Sequence, residues 1–349
     1  ETINIDTTKV ILHRMYCGGA FGRRGAYDHD YVIDAAILSK QFAKPVKVIW
    51  SREDDVRLGR LKPMSAQYLR AGLNEAGQLT AWQHRVASEE TLTQGDPYRY
   101  DKWGNVPITG IIGAEQPVYD IPNRKAEHIL QETNVRVSPL RGVGATPNKF
   151  AAESFLDEIA LTQGDDPLEV RLRLVENNPR AKAVLTKIAE IAHWHRPREN
   201  TALGLAFTAY ANSMLACIAE VSVNKSDGNI IIHNLWSVVD PGLVIQPINT
   251  ESQIEGGLLF GLSNALKESV KIKNGEIQQS NYHDYPILRA NEVPNIHVRI
   301  IQGSDRPFAV GELGVLLPAP AIGNAFARLT GKRLRHMPFT AERVRKMLA

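Results

Sequence analysis

Cysteine is nearly absent: the 349 residues include Cys17 and Cys217 alone, and neither belongs to a C-x-x-C or C-x-x-C-H pattern. Two thiols this far apart in sequence cannot hold an iron-sulfur cluster or a cysteine zinc site, nor attach a haem covalently. No apolar run approaches the roughly eighteen residues that a membrane-crossing helix needs. An excess of one charge is also missing, because 41 basic and 38 acidic residues leave a formal net charge of +3. The arginines are scattered rather than set in a stripe with aromatics between them, so nucleic acid is not an expected partner. Repeats and low-complexity segments are absent too. With 43% hydrophobic and 23% charged residues, the composition is that of an ordinary globular protein, which excludes disordered and collagen-like classes. The sequence has no signal peptide, yet it opens on Glu1 rather than Met, which predicts a processed chain or a fragment. Its length predicts two or three domains.

What is present starts with Gly18-Gly19-Ala20-Phe21-Gly22-Arg23-Arg24. The β-prone Lys9-Val10-Ile11-Leu12 predicts a strand before it, and a helical pattern runs from Asp28 to Phe42 after it. Glycines in such a turn permit positive φ and close backbone approach, so amide N–H groups can point at an anion. The helix N-terminus and two arginines add positive potential. Alone, the turn is either a cradle for a phosphate-bearing cofactor or an ordinary tight turn. It is not a dinucleotide fingerprint. Cys17 stands where Gly-x-Gly-x-x-Gly needs a glycine, and the acid expected about twenty residues on is displaced. The next β-prone run, Val46 to Trp50, meets its first acid at Glu53, thirty-one positions after Gly22. A nicotinamide-binding fold is therefore disfavoured.

Further along, Tyr68 to Leu79 predicts a hairpin, and residues 91–124, rich in Gly, Pro, Tyr and Asp, read as long loops of the kind that serve a site. Helices are predicted over 150–161, after Asp166-Pro167, and over 181–192. Trp194-His195-Arg196-Pro197-Arg198 then breaks the pattern and sets the expected boundary between a first subdomain, 1–197, and a second, 198–349. The second is expected to hold strands at 216–223 and 230–239 joined through Asp227-Gly228, and a helix over 251–266. A close approach is expected at Gly256-Gly257, a hairpin at Asn274-Gly275, a strand at 296–301 and a last helix at 320–329.

Three loops share one character: Gly18 to Arg24, Leu140-Arg141-Gly142-Val143-Gly144-Ala145, and Val310-Gly311-Glu312-Leu313-Gly314. The last two each set one charged residue among glycines. An arginine can orient a polar or anionic group, and a lone carboxylate in an uncharged pocket suits proton transfer. These loops recur in a fixed order with Ser51-Arg52-Glu53-Asp54-Asp55 and Gln253-Ile254-Glu255-Gly256-Gly257. In that order they resemble the molybdenum-binding large subunit of the xanthine oxidase family. The Gly22-Arg23-Arg24 ending and Asn281-Tyr282-His283-Asp284-Tyr285-Pro286 resemble its isoquinoline 1-oxidoreductase beta-subunit branch, which includes aldehyde dehydrogenases.

The resemblance implies an α+β fold of two mixed α/β subdomains and a molybdenum-dependent hydroxylase or dehydrogenase for aldehydes or N-heteroaromatic compounds. It implies a molybdopterin cofactor carrying Mo, in the cytosine dinucleotide form, with water as oxygen source and electrons leaving to 2Fe-2S clusters on a partner subunit. Glu312 is the implied general base, and Arg141 orients substrate or stabilises its developing charge. Gly18, Gly19, Ala20, Phe21, Gly22, Arg23, Arg24, Gly142 and Gly311 are the implied cofactor-binding residues, and no side chain of this chain is expected to ligate the metal. Arg24-Gly25 replaces the glutamate of some xanthine-hydroxylating relatives, which argues against a purine substrate, and Leu140 replaces an aromatic. The family's glutamine motif, of Gly-Gln-Gly type, is missing from this sequence. The implied partners are therefore an N-terminal half on another chain or upstream segment, an iron-sulfur subunit, and a cytochrome c or flavin subunit. The implied location is the bacterial periplasm or cytoplasm, with the resemblance favouring the periplasm. Each residue also has an ordinary reading: Glu312 as a surface carboxylate, Arg23 and Arg24 as a solvated pair, Arg141 in an ion pair with Glu153 or Asp157. His193-Trp194-His195 lacks a carboxylate or cysteine to complete a metal site and reads as structural. The whole chain could also be a non-catalytic assembly or docking subunit.

Overall fold

The computed structural model describes residues 2–26, 28–115 and 118–349, so Gln116 and Pro117 of the stretch read as loops lie outside the described residues. The chain opens with little regular structure, then forms α1 (Asp30–Phe42) and α2 (Arg52–Leu58). Ser51 caps α2: its hydroxyl accepts from the Asp54 N–H while the Asp54 carboxylate accepts from the Ser51 N–H, which satisfies two donors that a helix start leaves over. The two strands expected beside α1 do not form. Residues 10–18 and 44–51 are extended or irregular and unpaired, with Ile11 79% and Ile49 77% exposed. β propensity measures fit to a pleated, half-buried surface, and among the described residues no neighbouring strand offers one.

A three-stranded sheet follows. Strands β1 (Ser65–Leu73) and β2 (Leu79–Ser88) pair antiparallel around a turn that places Gly77 at φ +75°, and β3 (Asn123–Leu130) joins β2 in parallel. Between β2 and β3 the stretch read as long loops folds instead into three short helices, α3 (Thr91–Gly95), α4 (Pro97–Lys102) and α5 (Ile108–Ile111). Local caps make this possible: the Glu90 side chain accepts from Leu92 N–H, and Asp96 accepts from Arg99 N–H ahead of Pro97 at the first helical turn.

Helices α6 (Ala145–Thr162), α7 (Pro167–Leu174) and α8 (Pro179–Ile191) lead to the second sheet. Its strands are β4 (Ala202–Tyr210), β5 (Ser213–Val223) and β6 (Ile230–Asp240), followed by α9 (Pro247–Leu266), the small hairpin of β7 (Ile272–Lys273) and β8 (Glu276–Ile277), and β9 (Asn295–Ile300). The order is β4-β5-β6-β9, with β9 parallel to β6 after the α9 crossover. Helices α10 (Leu313–Leu316), α11 (Pro318–Thr330) and α12 (Ala341–Leu348) close the chain.

This second sheet is covered on both faces, which explains the near-continuous apolar run of β5. Leu215, Cys217, Ala219 and Val221 join a core with residues of α9 and α11, while Met214, Ala216 and Ile218 join another with Val184, Leu185 and Ile188 of α8. Each fully buried leucine or isoleucine contributes about 1.5–3 kcal/mol. The β4 strand meets α11 backbone to backbone: a methyl on Gly204 would lie 2.1 Å from both Ala321 O and Ala325 N. Under this contact sits a buried polar knot. Glu153 accepts from Arg171 Nε at 3.0 Å, Tyr119 OH at 2.8 Å and Phe207 N–H at 2.9 Å, tying α6, α7 and β4 together.

Candidate active site

The glycine turn is held against the second loop by backbone. Phe21 and Gly22 take positive φ, +49° and +97°, and a methyl on Gly22 would lie 2.1 Å from Pro139 O. The Arg141 N–H donates to Phe21 O at 2.8 Å, and the Phe21 ring, half exposed, stacks on Phe260 with centroids 5.6 Å apart. Among the described residues, the N–H groups of Gly18, Gly19, Ala20, Phe21 and Gly22 meet no acceptor in the chain, and a methyl on Gly18 would meet nothing within 4 Å. This row of unpaired donors at an open surface fits an anionic or oxo group of a molybdopterin. The two arginines turn toward α1. Arg23 pairs with Asp30 at 2.7 Å and lies over Trp50, and Arg24 lies over the Tyr31 ring.

Arg141 is the joint between loops. Its Nε donates to Gly311 O at 2.6 Å and its Nη2 to Gln253 O at 3.1 Å, so a buried guanidinium holds the Glu312 loop and α9 in place. Burial pulls this group below its ordinary value, against the opposing pull of Glu312. The ion pair with Glu153 or Asp157 does not form, since Glu153 belongs to Arg171 and Asp157 to Arg333. Gly142 sits at φ +86°, where a methyl would lie 2.4 Å from Thr146 Oγ1 and 2.6 Å from Val315 Cγ1, so no other residue fits without displacement. The close approach expected at Gly256-Gly257 belongs to Gly257, whose added methyl would lie 2.8 Å from Gly314 Cα. Gly256 faces open space.

Glu312 is gripped on both oxygens. Oε1 accepts from the Gly142 N–H at 2.7 Å, and Oε2 accepts from Tyr210 OH at 2.7 Å. Burial, then the Glu312 carboxylate, push the Tyr210 hydroxyl far above its ordinary value, so it remains a donor. Lys62 stands behind the joint, its Nζ donating to Arg141 O at 2.5 Å and to Thr146 Oγ1 at 3.3 Å. The structure thus brings together Phe21, Gly22, Arg141, Gly142, Gly311 and Glu312, from loops up to about three hundred residues apart. Sequence reading missed Lys62 and Tyr210. Neither lies in a glycine cluster or a charged motif, so no local pattern marks them. Among the described residues, no group of three His, Cys, Asp or Glu side chains could hold a metal ion, and no helix is long and apolar enough to cross a membrane.

Comparison with known proteins gives this site its context. Two molybdopterin cofactor-binding domain models match the chain, one over residues 1–175 and the other over 176–294. The chain therefore belongs to the molybdopterin cofactor-binding family. It is 38% identical over 341 residues to isoquinoline 1-oxidoreductase subunit beta of Brevundimonas diminuta, covering 96% of this chain and 43% of that protein. It is 32% identical to a membrane-bound aldehyde dehydrogenase (pyrroloquinoline-quinone) of Gluconacetobacter polyoxogenes, covering 97% of this chain and 47% of that one. The chain spans less than half the length of these relatives. Quinoline 2-oxidoreductase from Pseudomonas putida 86 shares the fold, with a TM-score of 0.81 at 14% identity over 95% of this chain and 68% of that one. The family and the α+β architecture agree with the motif resemblance.

Proposed function

We propose that the chain is the C-terminal catalytic part of a molybdenum-dependent hydroxylase or dehydrogenase acting on an aldehyde or N-heteroaromatic substrate, with water as oxygen source. The observation that carries this reading is the joining of three loops, Phe21 to Arg141 to Gly311, around a single carboxylate held at both oxygens. Bound molybdopterin, in the cytosine dinucleotide form, would supply the two-electron chemistry. The amides of Gly18 to Gly22, with Phe21, Gly142 and Gly311, would hold it, while Arg23 and Arg24, engaged with Asp30 and Tyr31 of α1, would reach its phosphates only by leaving those partners. Glu312 takes up the proton as general base; the Gly142 N–H and Tyr210 OH fix which way its oxygens point. Arg141 keeps base and cradle in register.

Because the curated relatives are more than twice as long, we assign the rest of the pocket to a polypeptide or upstream segment corresponding to their N-terminal half. Electrons would leave to 2Fe-2S clusters on a further subunit and on to a cytochrome c or flavin subunit, in the bacterial periplasm. The test is Glu312→Gln in the purified complex. We expect kcat to fall about 10²–10⁴-fold with molybdenum and pterin content unchanged. Unaltered turnover would favour a non-catalytic docking subunit, and an active complex free of molybdenum would end the proposal.

A further inference from the structure

We infer that Lys62 is a positioning residue for Glu312, acting through the one peptide group that links Arg141 to Gly142. The carbonyl of that peptide accepts from Lys62 Nζ at 2.5 Å, and its N–H donates to Glu312 Oε1 at 2.7 Å. A cation at an amide carbonyl draws electron density from the nitrogen side and makes the N–H a stronger donor, so hydrogen bonds in such a chain reinforce one another. Charge at Lys62 is thereby felt at the base without direct contact. Thr146 Oγ1 fixes the ammonium from the side at 3.3 Å, and the packing of Thr146 and Val315 around Gly142 fixes the peptide.

The charged groups facing Lys62 are Glu312 and Glu268, which favour its protonated form, and Arg141, which disfavours it. Each carboxylate is capped by a tyrosine at 2.7 Å, Glu312 by Tyr210 and Glu268 by Tyr285. Burial outweighs these and brings the ammonium down to about 8. A lysine below its unfolded value subtracts from stability at neutral pH and costs less as pH rises toward 10.5. It is therefore not placed there to hold the fold together. The link is charged at pH 7 and uncharged on the alkaline side of about pH 8.

This inference rests on Glu312 being the base, and its test separates the two ideas. In the purified complex, kcat and KM are followed from pH 6 to 10 for the wild type, Lys62→Arg and Lys62→Met. Amide hydrogen exchange of residues 141–146 is measured for the same proteins at matched pH. The wild type should lose rate with an inflection near pH 8 and a steady KM. Lys62→Arg should keep the neutral rate and lose the inflection, because arginine stays charged. Lys62→Met should run roughly tenfold slower at pH 7 with no inflection, a typical cost of losing a supporting partner. Exchange at Gly142 should be faster in Lys62→Met than in Lys62→Arg. An inflection near pH 8 that survives in Lys62→Arg or Lys62→Met, or exchange that is equal in the two variants, overturns the inference. Altered exchange together with full turnover in Glu312→Gln would leave Lys62 as the positioner of a carboxylate that is not the base.

Discussion

Residues 2–58 and residues 202–330 contribute to the same site by opposite means. In the first stretch Ala26 is the one buried residue among those described, and α1 buries none of its thirteen. In the second, β4 is buried from Leu203 to Thr208, and β5 and α11 are almost wholly enclosed. The glycine turn is thus located by a few bonds to its neighbours, chiefly Arg141 N–H to Phe21 O, Arg60 to Asp28 and Arg136 to Asp30, while Glu312, the proposed base, stands on a packed core. In the proposed function, the donors that would meet a large cofactor sit on the part this chain leaves uncovered, and the carboxylate that would hold one orientation sits on the part it encloses itself.

That contrast can be broken most forcefully in the core. Arg171→Leu leaves the buried Glu153 without its ion-pair partner, and should lower the unfolding free energy by about 3–5 kcal/mol in a denaturant titration. A loss under 1 kcal/mol would mean that the knot is not what joins α6, α7 and β4. The first sheet offers an intermediate case. Burial, aided by Lys149, pushes the His84 imidazole down to about 4. Between pH 6.5 and 4 the unfolded chain binds a proton that the folded one refuses, so stability is full above about 6.5 and falls by about 3 kcal/mol as pH drops to 4. His84→Gln should flatten that slope, and an unchanged slope would assign it elsewhere. The finest comparison sets one glycine against another. Gly204→Ala drives a methyl into the α11 backbone and should cost about 1–3 kcal/mol, whereas Gly18→Ala enters open space and should stay within about 0.5 kcal/mol. Equal effects on thermal unfolding would erase the distinction between the two regions.

Much of this was legible where a pattern is local. The Asp227-Gly228 turn marked the β5–β6 hairpin, and apolar periodicity marked α6, α8 and α9. Strand β4 escaped because Ala202-Leu203-Gly204-Leu205-Ala206 lacks β-branched residues; its glycine answers to α11, more than a hundred residues away. Strand β3, mostly charged at its start, was missed for the same lack of a strong local signal, whereas the short α12 carried one that was passed over: a Thr340 cap, Glu342 in its first turn and Arg345 and Lys346 in its last. Residues 9–12 and 46–50 show the reverse, a strong propensity with no partner to pair with. In the site, glycine clusters exposed each loop, but the hydrogen bonds from Arg141 to Phe21, Gly311 and Gln253 are tertiary and have no counterpart in spacing.

The distance along the chain between Phe21 and Glu312 also orders events in time. A ribosome that has finished the cradle and the Arg141 joint has yet to make the carboxylate that the Gly142 amide grips. Until residues 311 and 312 emerge, the Arg141 Nε and the Gly142 amide lack the acceptors that Gly311 O and Glu312 Oε1 supply. A cofactor that depends on all three loops must therefore wait until residue 312 has been made.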